Sequence, residues 1–122
     1  MDNALIVDDN RQMAESLAQM LDFYNIQTEI AFGSRAALAV LKDKTPSIVF
    51  LDLNMPGVTG FDVLGFLKRE PKLAKVPVIV VTSDDQPESA QRAKEAGASA
   101  YIIKPVSLDV LEEALKSLNL IL

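Results

Sequence analysis

The carboxylate of Asp52 stands where an apolar segment meets a turn rich in proline and glycine. Residues 48–51 read Ile-Val-Phe-Leu, and Asn54, Pro56 and Gly57 follow the acid. Acids, a hydroxyl and an ammonium that meet at one place could bind a metal ion and a phosphoryl group. Such groups do follow three other short apolar segments: residues 4–7 before Asp8 and Asp9, 78–81 before Thr82, and 100–103 before Lys104.

The composition of the chain excludes several other chemistries. Its 122 residues, 49% of them hydrophobic, fit a single domain over residues 1–122. It has no cysteine and no histidine, which excludes thiol catalysis, disulfides and the usual general base. Any metal should therefore be bound through oxygen.

Charge and hydropathy narrow the range of partners. With 12 basic and 17 acidic residues the net charge is −5 and no basic cluster appears, so we expect no direct nucleic-acid binding. The apolar runs are strand-length, far short of the roughly 20 residues that span a bilayer. We therefore expect no membrane insertion and a cytoplasmic protein.

Alternating strand-like and helix-like segments must position the candidate residues. Each of five strand patterns is followed by an amphipathic helical pattern. Parallel strands need crossover connections, and these are right-handed, so the alternation predicts a doubly wound α/β fold with helices on both faces of a parallel sheet. Such sheets bind ligands beyond the carboxyl ends of their strands, where the candidate residues lie. The predicted strands cover residues 4–7, 27–31, 48–51, 76–81 and 100–103, and Pro77 is expected to mark the beginning of the fourth.

The last two predicted helices differ in what they can bury. The fourth begins at Pro87, presents only alanines to the core, and ends at Gly97. Because buried apolar area is what attaches a helix, we expect the fourth helix to be weakly held and able to move. The fifth is capped by Ser107 and carries four leucines: Leu108, Leu111, Leu115 and Leu118.

Taken together, these residues resemble the receiver domains of bacterial two-component response regulators, the group typified by the chemotaxis regulator. The resemblance covers essentially the whole chain and implies a flavodoxin-like (βα)5 three-layer sandwich with strand order 2-1-3-4-5. It also implies a cis peptide bond before Pro105. The motifs that carry it are Asp8-Asp9, Asp52 with Asn-Met-Pro-Gly, Thr82-Ser83 and Lys104-Pro105, each directly after a predicted strand.

The resemblance implies a signalling domain rather than a turnover enzyme. Asp52 would accept a phosphoryl group from a histidine kinase or a phosphotransfer protein. Tyr101 matches the family's switch aromatic, although an aromatic residue on a strand is commonly a core residue. With Thr82 it would switch the surface formed by the fourth helix, fifth strand and fifth helix. The downstream target stays open, as does whether the chain acts alone or within a larger protein.

The charges of the acidic residues lead to the same site. Asp8, Asp9 and Asp52 repel one another unless a hard cation shares the site, and Mg²⁺ is the best fit. The ion could take oxygens from Asp9 and Asp52, the backbone carbonyl of Asn54, and water held by Asp8.

Phosphoryl transfer would use the side chains that follow the other strands. Asp52 would attack phosphorus in line and become an acyl phosphate. The remaining phosphoryl oxygens would be held by Lys104, the Thr82 hydroxyl and the backbone amide of Ser83.

A single motif can also be interpreted as purely structural, and two other functions fit parts of the pattern. Asp8, Asp9 and Asn10 could simply cap the first helix. An aspartyl phosphohydrolase of the haloacid dehalogenase type would share the phosphoaspartate chemistry, but that group has a second aspartate two positions after the nucleophile, where this chain has Asn54. A receiver-like scaffold that is never phosphorylated would be expected to lack the acceptor, the lysine or an acid, and all are present.

Overall fold

A computed structural model describes residues 3–55, 57 and 59–122 of the chain. Strands and helices alternate along it as predicted. The strands are β1 (Asn3–Val7), β2 (Gln27–Ala31), β3 (Ile48–Leu51), β4 (Val78–Thr82) and β5 (Ala100–Ile103). The helices are α1 (Arg11–Asp22), α2 (Ser34–Asp43), α3 (Gly60–Arg69), α4 (Pro87–Glu95) and α5 (Leu108–Ser117).

The five strands form one parallel sheet in the order β2-β1-β3-β4-β5, which confirms the predicted fold. Strand β3 lies at the centre and all four of its residues are buried, as expected for a strand covered on both faces. The register aligns the strand ends, since Val7 lies beside Leu51 and Thr82 beside Ile103. The residues that follow these strands therefore emerge at one edge of the sheet.

Strand β4 begins at Val78, two residues into the predicted apolar run and directly after Pro77, which was expected to mark its beginning. Pro77 has no N–H group to donate to the sheet, so regular pairing starts at Val78. The carbonyl of Pro77 still accepts a hydrogen bond from the Val49 backbone N–H at 3.0 Å. Val76 belongs to the preceding turn, where its N–H donates to the Leu73 carbonyl at 3.0 Å.

The helices cover the two faces of the sheet with separate apolar layers. Helices α2 and α3 contribute Leu41, Leu64 and Leu67 to one layer, and each of these leucines is fully buried. Because side chains alternate across a strand, successive residues of β3 enter opposite layers. On the other face, α1 and α5 contribute Leu17, Leu21, Leu111 and Leu115.

Helices α4 and α5 begin where the sequence indicates. Pro87 is the first residue of α4, and the Ser107 hydroxyl accepts the Val110 backbone N–H at the start of α5. Leu108 differs from the expectation, because its side chain is 45% exposed instead of packing with the other leucines of α5. It lies in the first turn of the helix, at the edge where the strands end.

Candidate functional site

Every residue that the sequence marks as chemically active lies at the carboxyl edge of the sheet. Asp8 and Asp9 follow β1, Asp52 follows β3, Thr82 is the last residue of β4, and Lys104 follows β5. Backbone hydrogen bonds tie these positions to neighbouring strands, since the Asp52 N–H donates to the Val7 carbonyl at 3.0 Å and the Lys104 N–H to the Thr82 carbonyl at 2.8 Å. The site is therefore held by the sheet itself.

Three carboxylates form the acidic part of the site. Asp8 and Asp52 are buried, with 5% and 6% of their surface exposed, and Asp9 is exposed. One carboxylate oxygen from each lies within 4.8 Å of the others. Hard divalent cations are bound by oxygen ligands of this kind, and such ions also take water or phosphoryl oxygens as ligands. The donor set fits Mg²⁺.

Lys104 brings a positive charge to the same place. Its Nζ atom lies 2.8 Å from Asp8 Oδ2 and 3.2 Å from Asp52 Oδ2, and only 11% of its side chain is exposed. Burial by itself lowers the pKa of Lys104, but the hydrogen bonds and negative charges of Asp8 and Asp52 outweigh it and raise the pKa. The lysine is therefore a firm cation at neutral pH.

The acceptor candidate, Asp52, is held by both of its oxygens. Oδ1 accepts the Asn54 backbone N–H at 3.0 Å, and Oδ2 faces Lys104. Burial raises the pKa of Asp52, and the charge of Asp8 adds to this effect, although the bond from Asn54 and the charge of Lys104 act in the opposite direction. A further cation would favour the ionised carboxylate, which is the nucleophilic form.

A hydrogen-bonded chain leads away from the acceptor toward β5. The Asn54 side-chain amide donates to the Thr82 hydroxyl at 3.3 Å, and the Asp84 backbone N–H donates to the same oxygen at 3.3 Å. The Asp84 carbonyl in turn accepts the Tyr101 hydroxyl at 2.7 Å. The side chains predicted to form the switch, Thr82 and Tyr101, are thus joined through one backbone segment.

Helix capping and site chemistry are both present after β1. Asn10 caps α1, because its side-chain oxygen accepts the Met13 N–H at 3.1 Å. Asp8 supports this turn with Oδ1, which accepts the Asn10 N–H at 2.9 Å, while its Oδ2 faces Lys104. The segment after β1 can therefore cap α1 and contribute a carboxylate to the site at the same time.

Some predicted details are settled at this edge and others stay predictions. The Lys104–Pro105 peptide bond is cis, as the resemblance implies. Ser83 follows β4 with an exposed side chain. The roles of its backbone amide and of the Asn54 carbonyl stay predictions. Pro56 lies outside the described residues.

Gly60, the first residue of α3, belongs to the site although no sequence motif marked it. A Cβ atom at this position would overlap the backbone carbonyl oxygen of Asp52, so only glycine lets α3 approach the acceptor loop this closely. Its N–H donates to the Leu53 carbonyl at 3.3 Å. The only local signal is a glycine directly after the helix cap Thr59, whose side chain accepts from the Asp62 N–H.

These features define a class of protein: a parallel α/β domain with an acidic, lysine-containing site at the carboxyl edge of its sheet. The family model described as the response regulator receiver domain matches residues 4–116. The chain belongs to this family, and its function is that of a phosphoacceptor domain in two-component signalling. No helix among the described residues is long and apolar enough to cross a membrane.

Individual relatives agree with this assignment. The chain is 33% identical over 118 residues to protein PilH of Pseudomonas aeruginosa, covering 97% of this chain and 95% of PilH. It is 32% identical to the phosphate regulon transcriptional regulatory protein PhoB of the same organism, of which it spans 49%. The solved structure of the chemotaxis response regulator CheY4 of Vibrio cholerae superposes with a TM-score of 0.88 at 26% identity, covering 96% of this chain and 98% of that one.

Proposed function

We propose that Asp52 is the phosphoacceptor and that Mg²⁺ is bound by Asp8, Asp9, Asp52 and the backbone carbonyl of Asn54. One observation carries the proposal: the oxygens of three carboxylates converge within 4.8 Å while the ammonium of Lys104 contacts two of them. A purely structural ion pair needs one carboxylate for one lysine. The excess negative charge is what a divalent cation would neutralise.

The residues of the chain have separate tasks in the transfer. An oxygen of Asp52 attacks the phosphorus atom, and the bond from phosphorus to the donor's leaving atom breaks as that atom keeps the electron pair. Lys104 neutralises one phosphoryl oxygen, and the Thr82 hydroxyl and Ser83 backbone amide donate to the others. When bound, Mg²⁺ supplies charge neutralisation and positioning for the incoming phosphoryl group.

The proposed donor is a phosphorylated histidine on a sensor kinase or a phosphotransfer protein. The site lies at the surface-facing edge of the sheet, with Asp9 and Asn54 exposed beside the buried acceptor. A side chain of another protein can therefore reach it. We place the domain, residues 1–122, in the cytoplasm, without direct nucleic-acid contact.

The output is proposed to be the surface formed by α4, β5 and α5. Tyr101 lies on β5 and is joined to the site through Asp84 and Thr82. A phosphoryl group that draws Thr82 toward Asp52 would disturb this connection and bias a pre-existing equilibrium. A downstream protein would bind the altered surface.

The chain is not proposed to be a phosphohydrolase. The position two residues after Asp52 is Asn54, whose amide faces Thr82 and cannot act as a general acid or base. We therefore expect at most slow loss of the phosphoryl group. A scaffold that is never phosphorylated is disfavoured because Asp52, Lys104 and the two other acids stand together in one site.

Labelling by a small phosphodonor tests this proposal. Acetyl phosphate with Mg²⁺ should add one phosphoryl group at Asp52, and omission of Mg²⁺ should abolish labelling. Asp52→Asn should prevent it, and Asp9→Ala should raise the Mg²⁺ concentration that labelling requires. Intact-mass and peptide mass spectrometry provide the measurement.

The matched control is Asp43→Asn, an exposed acid at the end of α2 and outside the acidic cluster. This variant should be labelled as fast as the wild type. Stable phosphate on another residue, or equal labelling of Asp52→Asn, would contradict the assignment of the acceptor. Equally fast labelling in the presence and absence of Mg²⁺ would contradict the proposed metal site.

A further inference from the structure

The hydrogen bonds around Thr82 determine which way its hydroxyl proton can point. Thr82 is fully buried, so water does not compete for the group. Its oxygen accepts one bond from the Asn54 side-chain amide and another from the Asp84 backbone N–H, both at 3.3 Å. A hydroxyl group has two acceptor lone pairs and one proton. Both lone pairs are thus occupied, and the proton is left to be donated.

From this geometry we infer that Asn54 is a positioning residue, which orients the Thr82 hydroxyl as a donor toward the phosphoryl group on Asp52. The inference rests on the proposed function, because it needs a phosphoryl oxygen as the acceptor of that proton. An amide NH₂ group can only donate a hydrogen bond. The Thr82 hydroxyl therefore cannot donate its proton to this group of Asn54. A hydroxyl whose proton already points away from both donors needs less reorganisation when the phosphoryl group draws Thr82 toward Asp52.

Asn54 is suited to this task because it is also attached to the acceptor. Its backbone N–H donates to Asp52 Oδ1 at 3.0 Å, on the carboxylate that would accept the phosphoryl group. The side chain and the backbone of a single residue therefore connect Asp52 with Thr82. The second donor to Thr82 belongs to Asp84, whose carbonyl accepts the Tyr101 hydroxyl at 2.7 Å. The orientation of Thr82 is thus shared between the acceptor loop and the switch strand.

A double-mutant cycle on the rate of phosphorylation tests the inference. The chain has no tryptophan to report the reaction, so labelling by acetyl phosphate at saturating Mg²⁺ is followed by intact-mass spectrometry. Asn54→Ala should lower the rate constant by about 2- to 10-fold, the effect expected for one neutral hydrogen bond. Thr82→Ala should lower it by roughly 10-fold or more, because its bond is made to a charged group. In the double variant, Asn54→Ala should cause no further loss.

A second measurement separates positioning from a general structural role. Asn54 is exposed, so Asn54→Ala should keep the melting temperature of the wild type. The Mg²⁺ concentration at half-maximal rate should also stay unchanged, because the proposed metal contact of Asn54 is its backbone carbonyl. A loss confined to the rate, and absent in the Thr82→Ala background, is the signature of positioning.

Other results would overturn the inference in distinguishable ways. Equal loss from Asn54→Ala in the presence and absence of the Thr82 hydroxyl would show that the amide acts independently of it. A faster Asn54→Ala variant would show that the amide oxygen of Asn54, rather than its NH₂ group, faces Thr82 and accepts the hydroxyl proton. If the wild type is not labelled at Asp52 at all, the proposed function fails, and with it the inference.

Discussion

Helices α4 and α5 both pack against the edge strand β5, yet they are attached by different means. Helix α4 buries one residue, Ala93, whereas α5 buries Leu111 and Leu115. A buried leucine contributes about 1.5–3 kcal/mol relative to an exposed one, and an alanine far less. Helix α5 is therefore fixed by the core, whereas α4 depends on contacts that a small change can release.

Beyond the apolar packing of Ala93, polar and aromatic contacts help to hold α4. The Arg92 guanidinium lies 3.8 Å from the centre of the Phe61 ring on α3. At the start of the helix, the Asp84 carboxylate accepts the Gln86 N–H at 3.0 Å. Each such contact is worth about 1 kcal/mol or less near the surface. A helix held in this way suits an output surface that must move at low cost.

Truncation of the buried side chains should give the largest difference between the two helices. Leu115→Ala removes a fully buried leucine and should lower the free energy of unfolding by about 3 kcal/mol. Ala93→Gly, the comparable change in α4, should cost about 1 kcal/mol, mainly through helix propensity. Urea denaturation measures both values.

The control for this pair is Leu108→Ala, which truncates a leucine of α5 that is 45% exposed. It should cost less than about 1 kcal/mol, because little apolar area is lost from the core. An Ala93→Gly variant as unstable as Leu115→Ala would show that α4 is fixed as firmly as α5, and the comparison would fail.

Removal of the Arg92–Phe61 contact should have a smaller effect, confined to α4. Arg92→Gln should loosen the helix by about 0.5–1 kcal/mol, the value typical of an exposed cation–π pair. Amide hydrogen exchange should accelerate about 2- to 5-fold in α4 and stay unchanged in α5. In a Phe61→Leu background the same substitution should add nothing.

A second cation–π pair provides a matched control. Arg11 lies 4.2 Å from the centre of the Phe32 ring, at the start of α1. Arg11→Gln should leave the exchange of α4 amides at the wild-type rate. Acceleration by both arginine variants would mean that lost surface charge, and not the contact with Phe61, loosens the helix.

Acid should act on the two helices through different carboxylates, and this is the smallest expected effect. Bonds from the Ser89 side chain and the Gln86 backbone lower the pKa of Asp84 below its ordinary value of 3.8. Bonds from Lys116 and Tyr24 lower the pKa of Glu112 on α5 below 4.5. A lowered pKa in the folded state means that the stabilisation is present above the ordinary value and is lost as pH falls through the lowered one.

Nuclear magnetic resonance titration with two variants separates these contributions. Asp84→Asn should remove the acid response of the α4 amides and of Tyr101, whose hydroxyl is bonded to the Asp84 carbonyl. Glu112→Gln should remove only the response near Tyr24 and α5, where Tyr24 donates to Glu112 at 2.9 Å. If either variant removed the acid response of the amides in both helices, the carboxylates of Asp84 and Glu112 would not act on α4 and α5 independently.

Much of the fold could be predicted because its signals are local. Periodicity placed the five helices, and the caps Asn10 and Ser107 marked two of their starts within one residue. The offset at β4 arose from a proline that extends an apolar run without a donor for the sheet. The exposure of Leu108 was missed because a helical pattern gives the face of a residue and not whether the sheet reaches beneath it.

Part of the site was predictable for a topological reason. Parallel strands connected by crossovers bring their carboxyl ends to one edge, so acids and a lysine that follow strands must approach one another. The Lys104–Asp8 and Lys104–Asp52 contacts, which join residues 96 and 52 positions apart, follow from this arrangement. Gly60 was not predictable, because its importance comes from the nearby Asp52 carbonyl on a different segment of the loop.

The sequence alone determined the order of the elements, the edge of the sheet that carries the site, and the charges placed there. These depend on residue type, local periodicity and the handedness of crossover connections. Only the tertiary structure decided that Asn54 and Asp84 both donate to Thr82 and that Arg92 covers Phe61. Such contacts depend on loop conformation and on the distances between packed elements. A repeating sequence pattern does not specify which individual side chains will come within a few ångströms of each other.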